Sequence, residues 1–436
     1  MIKRTHSLST VVALSIILFF FSKVGIVSGQ SKQEEQSFNS GKDQGIEPAA
    51  TPPMGWNSWN CFKTNINAKK IKSIADAMVN TGMKDAGYQY VIIDDGWMTD
   101  KRDKYGHIIV DPTKFPNGIK PVADYIHSLG LKFGIYSSPG RFTCEKLMGS
   151  LGFEQTDAND YAAWGVDYLK YDQCSYKKSN NEPIQTYQNR CQAAYELMSS
   201  CLKKTGRPIV YSTHDKCAVS LSGAVSLNED LPWIKGVANM HRTSVDIKDN
   251  WDRMIYCLES TADLWQYAGQ GYWNDPDMLE VGNTSNEKLG EQVSSKKMNL
   301  MEYQTHFSMW CMVAAPLIGG NDLRIMTPDI IKILTNKEMI ALDQDPLGKQ
   351  GRKIIDKDDD NKEIWVKELS GNRMAVAFLN KGDKPASIKV TWKDIHIKGK
   401  RRLKDLWEDN NLGSFKGSFK SKKIPTHGVL VVLMEE

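Results

Sequence analysis

The chain of 436 residues has no CxxC pair, no H-x-x-x-H spacing and no Gly-rich phosphate loop after its first apolar run. It also has no large charge excess and no apolar stretch long enough to cross a bilayer. Each absence removes a class. Eight cysteines, at 61, 144, 174, 191, 201, 217, 257 and 311, are scattered rather than paired at metal spacing, which argues against zinc. Lys and Arg total 56 against 52 Asp and Glu, a net charge of +4, which gives no support to nucleic-acid or polybasic membrane binding. The apolar run Val11–Phe21 is too short to span a membrane. Lys3 and Arg4 precede it, and Val27 with Gly29 suits a cleavage site, so residues 1–29 are expected to be a signal peptide. A retained anchor is the alternative that this length disfavours, and no cysteine follows to carry a lipid. The expected location is therefore secreted or periplasmic, with residues 30–50 a disordered lead-in. Export permits disulfides.

What is present is a large core. Hydrophobic residues make up 41%, with 12 Trp and 16 Tyr. From Thr51 a rhythm repeats: an apolar β-rich run, a polar tip, then a helical pattern. The runs are Met54–Phe62, Tyr88–Trp97, Leu131–Gly140, "VDYLKYDQC" (Val166–Cys174), Arg207–Asp215, Gly236–Thr243, Gly271–Leu279 and Cys311–Gly320. Helical patterns lie at Ala68–Ala86, Gly118–Leu129, Thr156–Trp164, Thr186–Thr205, Ile247–Gln266 and Leu300–Trp310. Alternating strands and helices imply a parallel sheet. Eight units across residues 51–345 predict a (β/α)8 TIM barrel of the α/β class. A doubly wound open sheet is the alternative, weakened by the missing phosphate loop. Beyond Gln344–Gly351 the texture changes to short strands such as "EIWVKEL" and "RMAVAFLN", which predicts a C-terminal antiparallel β-sandwich over residues 350–436. That region shows no cluster of chemistry, and its His427 reads as a turn residue.

In a parallel barrel the strands deliver chemistry at their C-terminal ends. Here those ends hold Trp56, Asp94, Asp95, Lys170, Asp172, Arg242, Asp246, Asp275 and Asp277. Aromatic faces stack on sugar rings, carboxylates accept from hydroxyls, and two further carboxylates suffice to cleave a glycosidic bond. Asp172 is the candidate nucleophile. Lys170, two residues earlier on the same face, is expected to keep it ionised. Asp246, four residues past Arg242, is the candidate acid/base, whose environment should raise its pKa relative to Asp172. The bland alternative for Lys170 and Asp172 is a structural ion pair. Magnesium on Asp94–Asp95 and Asp275–Asp277 is the other alternative, on weak spacing evidence; the expectation is no metal and no cofactor.

The motifs "TPPMGWNSWNCF", "IDDGW", "GIYSSPG", "WGVDYLKYDQC", "WNDPDML", "AAPLIGGNDLR" and "QDPLGKQG" occur in this order. In them the chain resembles the family 27 glycoside hydrolases, the α-galactosidases and α-N-acetylgalactosaminidases, from about Thr51 to the C-terminus. The resemblance implies a retaining mechanism without metal, with Asp172 as nucleophile and Asp246 as acid/base. It implies that Trp56, Asp94, Asp95, Tyr136, Cys144, Lys170, Arg242, Asp277 and Met278 lie at the terminal-sugar subsite, the tandem acids binding the 4- and 6-hydroxyls. It also implies a Cys144–Cys174 disulfide beside the nucleophile.

Three departures matter. Where the family usually carries a Leu-Cys-Glu-Trp-like patch, this chain has "STHDKC" (Ser212–Cys217), with His214, Asp215 and Lys216 replacing cysteine, acid and aromatic. This leaves the 2-position preference open. Gly96 stands where many relatives bridge to the residue at Cys61, so Cys61 is expected to be a free buried thiol. The connection Ala218–Trp233 is unlike the usual one. The expected activity is exo-acting removal of terminal α-galactose from oligo- or polysaccharides. β-L-Arabinopyranosidase activity is the first alternative, though keeping both Asp94 and Asp95 favours a sugar with a 6-hydroxyl. A catalytically silent carbohydrate-binding protein is the second. The partner implied is a carbohydrate substrate, with neither nucleic acid nor a stable membrane anchor; the oligomeric state stays open.

Overall fold

Period-two alternation in the apolar runs becomes a parallel β-barrel. The computed structural model describes residues 48–214, 233–283, 297–357 and 361–436. The expected signal peptide, nearly all of the lead-in, Asp215–Cys217 and all of the Ala218–Trp233 connection but Trp233 lie outside the described residues. The barrel strands are β1 (Met54–Asn57), β2 (Tyr90–Ile92), β3 (Lys132–Ser137), β4 (Tyr168–Asp172), β5 (Val210–His214), β6 (Met240–Arg242), β7 (Trp273–Asp275) and β8 (Leu317–Gly319). Each of β1 to β6 pairs in parallel with the next, and β8 pairs in parallel with β1. A parallel bridge between Leu279 and Gly319 closes the gap from β7 to β8. All eight predicted runs contain a barrel strand, but the strands are shorter. The last run is the main correction: Cys311 and Met312 end a helix, and only Leu317–Gly319 is strand. A buried helix and a buried strand are both apolar throughout, so a continuous apolar run does not mark where one becomes the other.

Besides the single turn Trp59–Phe62, the described helices include α1 (Ala68–Asn80), α2 (Lys120–Ser128), α3 (Glu154–Trp164), α4 (Ile184–Lys204), α5 (Trp251–Ala262), α6 (Leu300–Met312), α7 (Pro328–Leu334) and α8 (Lys337–Asp343). Local chemistry sets their starts. The side chains of Asn67, Asn250 and Asn299 accept from the orphan N–H groups of α1, α5 and α6, and Asn299 with Glu302 forms a full capping box. Gly165, left-handed at φ 84°, ends α3.

Strand parity sorts the two faces. Tyr90, Ile92, Tyr168, Val210, Met240, Trp273 and Ile318 form the apolar cluster inside the barrel. Val91, Ile93, Leu169, Tyr171 and Tyr211 face outward into the larger core shared with the helices. Leu169 is fully buried, so truncating it to alanine would cost about 2–5 kcal/mol.

The C-terminal region is built from β9 (Arg352–Lys357), β10 (Lys362–Leu369), β11 (Arg373–Asn380), β12 (Lys389–Thr391), β13 (Lys400–Asp405), β14 (Asn410–Lys416), β15 (Ser418–Lys420) and β16 (Val429–Glu435). One antiparallel sheet runs β9-β10-β11-β16-β13-β14 and a second pairs β12 with β15. Along β10, Ile364 and Val366 face the core between these sheets, whereas Trp365 and Leu369 join the barrel's core. The larger sheet is therefore buried on both faces. His427 does sit in a turn; its ring stacks on Trp251 at 4.1 Å and bonds Glu302.

Candidate active site

The parity that places Tyr168 inside the barrel carries Lys170 and Asp172 to the same side at the C-terminal end of β4. They do not pair with each other. Lys170 Nζ lies 2.7 Å from Asp94 Oδ2, and Asn57 Nδ2 donates to the same oxygen at 2.8 Å. Asp94 Oδ1 accepts from the Asp95 N–H at 2.8 Å. The carboxylate nearest Lys170 is thus Asp94, two residues past β2, while the Asp172 charge still acts on the lysine. Burial alone would lower the Lys170 pKa, but the Asp94 and Asp172 charges outweigh it and hold it above its usual value.

Asp172 has other neighbours. His214, at the end of β5 and in register with Asp172, places Nδ1 3.1 Å from Asp172 Oδ1. The Tyr136 hydroxyl, from β3, donates toward Oδ2 at 3.3 Å, and Cys144 Sγ is 3.9 Å from that oxygen. Cys144 and Cys174 are disulfide-bonded, tying the loop after β3 to the tip of β4. The two segments meet so closely that a Cβ at Gly140 would clash with the Cys174 carbonyl. Burial and the charges of Asp172, Asp95 and Asp94 push the Tyr136 hydroxyl well above its usual range, so it stays a donor. Cys61, Cys201, Cys257 and Cys311 are free and buried, as expected for Cys61, and Cys191 is disulfide-bonded.

The opposite rim is organised by Arg242. Its guanidinium lies 2.7 Å from Asp277 Oδ2 and 3.1 Å from Asp246 Oδ1. Burial disfavours that charge, but Asp277, Asp246 and Asp275 more than compensate and raise its pKa. Asp277 has φ 93°, a conformation that costs a non-glycine residue about 1–3 kcal/mol. It is held there from several sides: its own N–H donates to Asp275 Oδ1, the Ile247 N–H to its Oδ2 and the Met278 N–H to its Oδ1. Asp246 differs from every other site carboxylate in being 79% exposed. Exposed and paired with Arg242, it lacks the desolvated surroundings expected to favour its acid form.

Asp95 is almost fully buried. Burial, with the Asp94 charge adding to it, pushes its pKa to about 7 against the opposing Glu145 N–H and Thr143 hydroxyl. Burial pushes Asp275 to about 6, with Arg242 opposing. Between the tips a cavity of about 20 Å³, roughly one water sphere, is lined by Asn57, Lys170, His214, Arg242, Asp275 and Asp277 among others. Met278 lies on its wall. Trp56 is fully buried, its indole N–H donating to the Asn321 carbonyl, so it packs behind the site.

The candidate residues of β1 to β4, β6 and β7 and their tips thus gather at one end of the barrel. Asn57 and His214 are the partners that sequence reasoning did not place. The signal for His214 was available: it ends its strand at the same parity as Asp172 ends the one before. As for metal, Asp94 and Asp277 already face Lys170 and Arg242. Among the described residues, the one cluster of three metal-type ligands joins Asp172 to two disulfide sulfurs, which are not thiolates. No described helix is long and apolar enough to cross a membrane.

Comparison with known proteins agrees with this architecture. The family model described as alpha galactosidase A matches residues 51–345, and that of the alpha galactosidase C-terminal beta sandwich domain matches 359–434. Alpha-galactosidase 3 of Arabidopsis thaliana is 43% identical over 375 residues, covering 84% of this chain and 79% of that one. The alpha-galactosidase of Cyamopsis tetragonoloba is 40% identical, covering 86% and 84%. The crystal structure of alpha-galactosidase I from Mortierella vinacea superposes with a TM-score of 0.79 at 35% identity, covering 89% of this chain and 98% of that one. With both domains matched and these identities over most of its length, the chain belongs to the alpha-galactosidase family of glycoside hydrolases.

Proposed function

We propose that this protein is an exo-acting α-galactosidase that releases a terminal galactose with net retention, Asp172 acting as nucleophile and Asp246 as acid/base. The observation that carries the assignment is the contrast between the two carboxylates. Asp172 is sunk at a strand tip among donors, which favours the carboxylate. Asp246 stands exposed on the rim, where a leaving group would cover it and favour its acid form. In the first step a bond forms from Asp172 to the anomeric carbon as the exocyclic C–O bond breaks, and Asp246 gives its proton to the leaving oxygen. In the second, Asp246 takes a proton from water, the water oxygen bonds to the anomeric carbon, and the Asp172 carboxylate departs. Lys170, Asp94 and Asp95 offer a cation, a carboxylate and a carboxyl at one wall, suited to sugar hydroxyls. Export belongs to the same reading, supported by the Lys3–Phe21 pattern and the Cys144–Cys174 bridge.

The test is hydrolysis of nitrophenyl α-galactoside, β-L-arabinopyranoside and α-N-acetylgalactosaminide, with product configuration read by NMR. The α-galactoside should be preferred, and Asp172→Asn should lose about ten-thousandfold in kcat. Activity on none of the three, or full activity in Asp172→Asn, would refute the assignment.

A further inference from the structure

His214 ends β5, and its imidazole Nδ1 lies 3.1 Å from Asp172 Oδ1. Its place is fixed from the backbone. The His214 carbonyl accepts from the Tyr195 hydroxyl at 2.7 Å and from the Gln173 N–H at 3.1 Å. Its side chain is 6% exposed. Among the described residues, the groups around it include Lys170 and Asp172 from β4, His241 and Arg242 from β6, and Asp275 and Asp277 across the small cavity. Nδ1 lies 3.1 Å from a carboxylate oxygen, and both the cation and one neutral tautomer can place a proton on it. The contact therefore does not depend on the charge of His214.

We propose that His214 is a positioning residue for glycosyl transfer: it donates Nδ1–H to Asp172 Oδ1, leaving Oδ2 to form the bond to the anomeric carbon. This deepens the reading of Asp172 as nucleophile and rests on it. The proton stays on Nδ1 throughout. As the glycosyl–enzyme bond forms, Oδ1 loses negative charge and the hydrogen bond weakens. When water displaces Asp172, the charge returns and the bond strengthens. The donor thus helps keep Asp172 ionised in the free enzyme, and it favours the second step by stabilising the departing carboxylate.

The variants are His214→Ala, which removes the donor, and His214→Asn, whose amide nitrogen can occupy the place of Nδ1. With an aryl α-galactoside, His214→Ala should lose roughly tenfold in kcat, the equivalent of one hydrogen bond to a charged group. KM should fall with it as the covalent intermediate accumulates. The acidic limb of kcat/KM should move up by about one pH unit. His214→Asn should recover the limb. A wild-type limb and kcat in His214→Ala, or equal losses in both variants with no movement of the limb, would overturn the proposal. Should the alanine variant not fold, nitrogen-15 NMR of the histidines in the intact protein decides the matter. A protonated Nδ1 whose signal shifts in Asp172→Asn supports it, and an unprotonated Nδ1 rejects it. Full activity in Asp172→Asn would instead remove the nucleophile assignment beneath it, a different failure seen in a different variant.

Discussion

The ammonium of Lys170 sits 2.7 Å from Asp94 Oδ2, although Asp172 lies two residues along the same face of the same strand. The site therefore works as two linked groups: Asp94 with Lys170 and Asn57, and Asp172 with His214 and Tyr136. The pair is nearly buried, at 15% and 3% side-chain exposure. Replacing Lys170 with Met would leave a buried carboxylate without its cation, and the expected loss is about 3–5 kcal/mol of folding stability. Urea denaturation of Lys170→Met, Asp94→Asn and the double variant checks this. The double variant should recover part of the loss; purely additive losses would show the pair to be uncoupled.

Several buried acids make stability depend on pH in an unusual direction. Burial is the first cause of each shift: Asp95 to about 7, and Glu280 and Asp343 to about 8. Their folded pKa values exceed the unfolded ones, so the native state binds more protons and stability falls as pH rises through those values. His241 and His306, pushed by burial to about 3, act oppositely, but only between about 3 and 6.5. The window from pH 6.5 to 8.5 belongs to the acids, and the melting temperature should fall across it. Asp95→Asn should flatten the slope near pH 7. A flat wild-type profile would contradict this account.

The chain has one N-x-S/T sequence, at Asn283. Its side chain is buried, and Nδ2 donates to Glu280 Oε2 at 2.6 Å. A glycan on that nitrogen is incompatible with this contact, so protein folded in a eukaryotic secretory host should carry none there. Intact mass before and after endoglycosidase treatment measures it. Asn283→Asp, which sets a second carboxylate against a buried one, should destabilise by about 1–3 kcal/mol.

The Cys144–Cys174 bridge spans 30 residues. Loop-closure entropy assigns such a bridge about 3–4 kcal/mol. Cys144 is exposed and Cys174 buried, so a reductant can reach the bridge from the solvent side. Cys144→Ser should lower both the melting temperature and kcat, because the Tyr136 hydroxyl contacts Cys174 Sγ as well as Asp172. An unchanged kcat would separate the bridge from the chemistry.

Much of this molecule is determined by local pattern alone. Alternation within "VDYLKYDQC" suffices to put Tyr168, Lys170 and Asp172 on one face, because side chains on a strand repeat every two residues. The run of eight strand-and-helix units suffices for the barrel, and the barrel for the end at which carboxylates gather. Which ion meets which is a different kind of fact. Lys170 chooses Asp94 over Asp172, His214 meets the nucleophile, and Arg242 bridges Asp246 and Asp277. Apart from the local Arg242–Asp246 pair, these contacts depend on how the strands lie beside one another, which parallel crossovers of dozens of residues leave unspecified in sequence. The same holds for Trp365 and Leu369, whose alternation marks a strand but not the barrel they pack on. Periodicity along the chain is a local steric property and is legible in the amino-acid order. Pairing across strands is settled only when the barrel closes and each buried charge must find its nearest partner.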